Sequence, residues 1–396
     1  PATLADIRNA LQPGEVYLKL TAMRSAMFGI AISRDRTLIY QLEGSLPQIS
    51  SLATRVLASA RSDANRTIRP FDVPAANRLF DTVAGPAADM IRSAQRLIYN
   101  PAGTLRHLPA AIMVTDPETV RAYQEQRNRG DYSMVAFLGA RSEVATALSP
   151  RAFLRSRKEI APSNAPRPFL GLGENALPEI VGDTLAEQPM PFDCSLTWRD
   201  WAREVAARQP VSAREIGIAA AALGVSGAPQ IVGASFTDTG LLAGTAGAEL
   251  SQYQILHFAT HGIPETTVDV DECRMRLPPS LVTTLAAPTS DGQVVSDGLL
   301  AFDEVARLRL DANLIVLSAC ETSAGTSEAT AGRGGLEGSD PALDGLVRSF
   351  LAGGARSVLA TFWSVPAIPQ SDELMAAFYR TGRSASMSGA LKAAQA

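Results

Sequence analysis

The sequence predicts an α/β fold built on a mainly parallel sheet with helices on both faces. Three observations carry that prediction. Short apolar runs of strand type alternate with stretches of helical spacing through the second half of the chain. Three strand-like runs crowd the opening. Two polar, reactive segments each follow an apolar run directly, as functional groups do at the carboxyl ends of parallel strands.

The opening runs are Glu15–Thr21, Met27–Ser33 and Thr37–Leu42, split by polar turns, and they predict a meander. Leu46–Ser62 and Ala75–Ala94 have helical spacing. Gln95–Tyr99 is strand-like and stops at Asn100-Pro101-Ala102-Gly103, a strong turn. Ala145–Ile160 is assigned to helix, and Ser163–Pro168, rich in Pro, Ala, Asn and Ser, to a linker. Beyond it the strand runs are Phe169–Leu172, Gln230–Val232, Gln254–Phe258, Asn313–Ser318 and Ser357–Thr361. Helical stretches lie between and after them, at Ala213–Leu223, Asp238–Leu250, Phe302–Ala306, Leu343–Ala352 and Asp372–Arg380. Thr322–Asp340 is Gly/Ser/Thr-rich with almost no large apolar side chain, so it is expected to be a mobile loop. No repeat of solenoid length is visible.

Composition bounds the function. With 396 residues, 46% of them hydrophobic, the chain can bury a large core and hold two or three domains. A net charge of −4 gives no basic footprint, which argues against direct nucleic-acid binding. No apolar run is long enough for a membrane span, and no signal-peptide pattern opens the chain. Three cysteines, Cys194, Cys273 and Cys320, are too few and too scattered for a disulfide framework, and free thiols fit a reducing cytoplasm. Arginine and alanine are abundant while lysine is confined to Lys19, Lys158 and Lys392, which reads as the coding bias of a GC-rich bacterial genome.

The chemistry concentrates in His257–Gly262 (HFATHG) and Ser318–Thr322 (SACET). If both follow strands of one parallel sheet, His261 and Cys320 share an edge. An imidazole beside a thiol takes its proton or stabilises the thiolate, and later returns a proton to a leaving amine. Gly262 lets backbone approach a substrate closely, and the amides of Gly262 and Cys320 are natural oxyanion donors. The residues alone leave structural readings open. Cysteine is among the most buried residue types, and a histidine near a strand end is commonly a satisfied core group. His257, inside the strand, is read as structural. A metal set of His257 and His261 with Cys273 or Cys320 is conceivable, but no Cys-x-x-Cys or His-Glu-x-x-His spacing supports it, so no metal and no cofactor are expected.

HFATHG and SACET together resemble the signature of the CHAT family, bacterial relatives of caspases and separase. Asn100–Ala110 (NPAGTLRHLPA), Ser296–Ala301 (SDGLLA), Asp311–Thr322 (DANLIVLSACET), Leu346–Trp363 (LVRSFLAGGARSVLATFW), Glu373–Tyr379 (ELMAAFY) and the opening strands Tyr17–Tyr40 resemble it too. The resemblance implies a caspase-like α/β fold with an inactive N-terminal caspase-like subdomain, 1–165, and a catalytic subdomain, 166–396. It implies a cysteine endopeptidase with His261 as base, Cys320 as nucleophile, and Gly262 in the place of the glycine after the histidine. The expected partners are a protein or peptide substrate and a regulatory protein or TPR-type sensing region.

Family members usually carry sensing repeats ahead of this domain and a further strand after the last helix. Neither is visible here, and Pro1 is an unusual start, so a fragment is expected. Family members also usually carry acids after the tryptophan, whereas Ser364–Gln370 (SVPAIPQ) has none. That predicts a pocket for a neutral or apolar side chain, walled by Trp363 and Val365. Asp340 or Asp344 swinging in would restore a basic preference. The competing functions are a catalytically silent caspase-like interaction module and a small-amide Cys-His amidohydrolase. The second lacks the glycine-flanked nucleophile elbow, since Ala319-Cys320-Glu321 has no glycine.

Overall fold

The computed structural model describes residues 2–61, 69–158, 161–177, 197–203, 210–244, 249–263, 265–270, 273–286, 296–318, 341–362 and 369–395. Packing divides the chain into two compact units, Pro1–Ile160 with Ala377–Ala396, and Ala161–Ala376. The boundary expected from sequence was 165/166, with everything after it in one subdomain. The expected loop 322–340 lies outside the described residues.

In the first unit β1 (Glu15–Met23), β2 (Ala26–Ile32), β3 (Thr37–Gln41), β4 (Arg96–Asn100) and β5 (Glu143–Thr146) form one sheet in the order β3-β2-β1-β4-β5. β1, β2 and β3 make the antiparallel meander read from the sequence, and β4 and β5 join it in parallel. β1 is buried on both faces. Val16, Leu18 and Leu20 pack with Leu97, Tyr99 and the helices Leu46–Ala60 and Val73–Ala84. Tyr17 on the other face packs with Ile98, Ile7 and Phe153. Ion pairs are built into the unit. Glu15, 4% exposed, takes Arg96 at 2.9 Å and Arg157 at 2.7 Å. Burial alone would raise the Glu15 carboxyl, but the Gln12 N–H and the two guanidinium groups hold it below its ordinary value.

Local chemistry corrects three predicted elements. The helix predicted over Ala75–Ala94 breaks at Gly85, whose φ of 46° is left-handed, and at Pro86, which has no N–H to continue the ladder. The helix predicted over Ala145–Ile160 begins only at Pro150. Glu143–Thr146 before it, with β-branched Val144 and Thr146, pairs with β4 instead. The helix predicted over Asp238–Leu250 stops at Ala243, capped by left-handed Gly244.

The second unit is built on β6 (Arg167–Asn175), β7 (Gln230–Gly233), β8 (Tyr253–Ala259), β9 (Gly262–Ile263), β10 (Thr266–Val270), β11 (Cys273–Leu277), β12 (Ser280–Val282), β13 (Leu299–Ala301), β14 (Leu314–Ser318) and β15 (Val358–Ala360). Its main sheet, β15-β14-β8-β6-β7, is parallel throughout. Its strands read as near-continuous apolar runs because both faces are covered. The core joins Leu170, Leu172, Leu256, Phe258, Ile315 and Leu317 to side chains of the helix Pro341–Ala352 such as Leu346 and Phe350. The fold is therefore α/β with parallel-strand sheets flanked by helices, consistent with a caspase-like fold. Two small antiparallel sheets, β13-β12-β9 and the hairpin β10-β11, have no counterpart in the sequence prediction. Among the described residues no helix is long and apolar enough to cross a membrane.

A buried acidic corner closes the small sheet. Thr237 caps the helix Asp238–Ala243, and Asp238 Oδ1 accepts the Ser296 hydroxyl. Trp201 Nε1 donates to the Asp297 carbonyl at 2.7 Å, and the Asp297 carboxylate accepts the Leu299 N–H at 2.8 Å. Burial first, and then the neighbouring Asp238 charge, push the Asp297 carboxyl up from 3.8 to about 7. The folded state thus holds this proton more tightly than the unfolded chain, so the contribution of Asp297 to stability falls as pH rises from about 4 to about 7. Asp297→Asn keeps an acceptor for the Leu299 N–H without the charge. It is expected to stabilise the protein near pH 8 by on the order of a few kcal/mol and to flatten this part of the pH dependence. Urea-unfolding midpoints of both proteins near pH 5 and pH 8 check this; parallel pH dependences would contradict it.

Candidate active site

β8 leaves the main sheet at Ala259 and reaches His261 through Thr260. Two bonds to one residue of β12 fix that exit. Thr260 Oγ1 donates to the Val282 carbonyl at 2.6 Å, and the Val282 N–H donates to the His261 carbonyl at 2.8 Å. Thr260 and Val282 are buried, while His261 is half-buried. His261 thus stands on backbone held from both sides of its own peptide unit.

The same ladder determines where the Gly262 amide points. Antiparallel pairs alternate between hydrogen-bonded and non-bonded types. Val282 bonded to His261 makes the next pair, Leu281 with Gly262, the non-bonded type. The Gly262 N–H is therefore turned away from β12. β9 is the end strand of its sheet, so that amide faces away from the ladder.

β14 lies beside β8, and Ser318 at its carboxyl end is in register with Ala259. In sequence, His261 comes two residues after Ala259, and Cys320 two residues after Ser318. Cys320, Asp340, Trp363 and Val365 lie outside the described residues, and Asp344 falls near the start of the helix Pro341–Ala352. Of the other cysteines, Cys273 is on β11 and Cys194 is outside the described residues.

The third neighbouring strand also ends tightly. A Cβ on Gly173 of β6 would collide with the Ala259 carbonyl oxygen, so only glycine permits this approach of β6 to β8. Thr284 then gathers the strand ends: its hydroxyl donates to the Gly233 carbonyl at 2.8 Å and accepts the Ala176 N–H at 2.9 Å.

Under the edge lies a polar group that sequence reasoning left out. Glu215, in the first turn of the helix Arg214–Leu223, holds His257 Nε2 at 3.1 Å with Oε1 and accepts the Ser318 hydroxyl at 2.9 Å with Oε2. His257 is fully buried, in keeping with its structural reading. An acid in the first turn of a helix is ordinary on dipole grounds, which masks Glu215 in the sequence. The available signal was His257 itself, since a buried imidazole in a strand requires a partner.

The model of the CHAT domain matches residues 73–396. No curated protein matches the chain. With well over half its length matched, the chain belongs to the CHAT-domain family, relatives of the caspase-like peptidases.

Proposed function

We propose that the protein is a cysteine endopeptidase in which Cys320 is the nucleophile and His261 its base. The observation that carries this reading is the registered parallel pair Ala259–Ser318, because the two residues are the same number of positions short of His261 and of Cys320. Family membership supports it independently. Protein or peptide substrates, bacterial signalling in the reducing cytoplasm, and control by a TPR-type region or regulatory protein belong to the same proposal. They rest on the family resemblance and on the sparse cysteines.

The chemistry follows from the groups. His261 takes the Cys320 proton, and the thiolate attacks the scissile carbonyl carbon, forming the C–S bond as the carbonyl π pair moves onto oxygen. The Gly262 N–H, turned away from its ladder, and the Cys320 N–H receive that oxyanion. The oxyanion then collapses, the C–N bond breaks, and the imidazolium gives its proton to the departing amine. Water, deprotonated by the neutral imidazole, attacks the thioester, releasing the carboxylic acid and returning the thiol. For specificity we propose the pocket for a neutral or apolar residue, with Trp363 and Val365 as walls and Asp340 or Asp344 as the alternative source of an acid.

Cys320→Ala and His261→Ala are each expected to lower peptide cleavage by about a thousandfold or more. Circular dichroism should be unchanged, because truncation at strand ends leaves small cavities. A peptide-library cleavage assay with each variant checks this. Activity surviving Cys320→Ala but lost in Cys194→Ala or Cys273→Ala would sink the assignment. Fluorogenic peptides that differ only in the residue before the scissile bond test the pocket. Leucine or methionine should be preferred. Arginine favoured by more than about a hundredfold, about 2.7 kcal/mol of transition-state binding, would mean that an acid lines the pocket.

A further inference from the structure

We propose that Glu215 is the positioning residue of this site: its carboxylate, shared between His257 of β8 and Ser318 of β14, clamps the two strand ends that carry His261 and Cys320. The proposal rests on the peptidase reading above.

One carboxylate serves two neighbouring strands, with each oxygen on a different one, at 3.1 Å to His257 Nε2 and 2.9 Å from Ser318 Oγ. Across the ladder His257 is registered with Val316 and Ser318 with Ala259, so the clamp runs diagonally. A diagonal link resists sliding of one strand along the other, a motion that apolar contacts tolerate. The slide it resists is the one that would carry Ser318 out of step with Ala259, and with them the residues two positions on.

The clamp is rigidly mounted. A Cβ on Gly171 of β6 would collide with Ile216, the residue after Glu215, so helix and sheet are in closest approach there. Ile216 is fully buried. The Ala213 N–H, just before the helix, donates to Glu174 Oε2 at 2.9 Å, tying the helix start to the end of β6. Arg214, beside Glu215 in the helix, pairs with Asp372 at 3.4 Å. The Glu215 side chain is 15% exposed and His257 is 0% exposed. Buried polar groups are a poor source of stability compared with apolar packing, and their best-attested use is to specify one arrangement among close alternatives. A group that fixes the alignment of two functional strand ends fits that use.

The test uses the full chain and reads the thiol rather than the substrate. The rate of Cys320 alkylation by iodoacetamide is followed against pH by mass spectrometry in the wild type, His261→Ala, Glu215→Ala, Ser318→Ala and Ser318→Thr. Alkylation reports thiolate, so its pH profile reports how well His261 is set against the thiol. The wild type should show a low-pH arm that His261→Ala removes. Glu215→Ala and Ser318→Ala should each cut the rate near pH 7 by about tenfold and move the profile toward that of His261→Ala, the scale of loss typical of small misplacements. Ser318→Thr, which keeps the hydroxyl, should recover most of that loss. A role in stability alone would lower the melting temperature and leave the profile where it is. Profiles of Glu215→Ala and Ser318→Ala that superimpose on the wild type, below their melting temperatures, therefore overturn the proposal while the dyad stands. If Glu215→Ala does not fold, the two Ser318 variants decide between these outcomes. A wild-type profile indifferent to His261→Ala removes the dyad, and the clamp's function with it.

Discussion

The parallel ladder between β8 and β14 is the constraint on which the candidate site depends. Leu314 to Ser318 pair in step with Ile255 to Ala259. Parallel strands send all their carboxyl ends to one edge, so chemistry from distant segments meets there without a dedicated loop. The core behind that edge is apolar and close-packed: Leu256, Phe258, Ile315 and Leu317 are all at most 1% exposed. Hydrophobic burial holds the two strands in the sheet, but it is non-directional and does not by itself choose a register. Direction comes from polar links: the backbone ladder, the Thr260 and His261 bonds to Val282, and the carboxylate of Glu215.

The two units bury charge in opposite ways. In the first, Glu15 and Glu143 share Arg96, and Arg157 completes the set, so each buried acid meets a guanidinium. In the second, Asp238, Asp297 and Glu304 lie near one another and all three carboxyls are raised above their ordinary values, by burial first. Hydroxyls and backbone amides relieve them, the Ser296 hydroxyl, the Leu299 N–H and the Ala301 N–H, and Glu304 also meets Arg307 at 3.5 Å. The first arrangement loses its contribution to stability as pH falls, and the second loses its own as pH rises.

Much of this was legible in the sequence, for identifiable reasons. The main strands of the second unit are apolar on both faces, so their runs stand out without any periodicity, and the helix over Ala213–Leu223 ends where it was read, at Gly224. HFATHG and SACET announced two strand ends because a reactive side chain right after an apolar run is uncommon. The small sheets were not legible. β9, β12 and β13 have only two or three residues each, too few for alternation to register, and they exist because Val282 and Thr283 find partners far along the chain. β5 was hidden for a related reason: four residues before a proline-led helix look helical until β4 supplies an edge. Glu215 escaped because its role depends on which two strands lie under its helix, a tertiary fact with no local trace.

The separation of β8 from β14 along the chain has a consequence for synthesis. The strand ending at Ala259 leaves the ribosome well before Leu314–Ser318, and the hairpin β10-β11 and the small strands come between. Hairpins close locally and early, whereas a parallel pair must wait for its distant partner and bear the entropy of closing the intervening chain. A nascent chain therefore carries the histidine segment for some time with no β14 to align against it. The edge where the ends of β8 and β14 lie side by side is therefore complete only after most of the second unit has been translated.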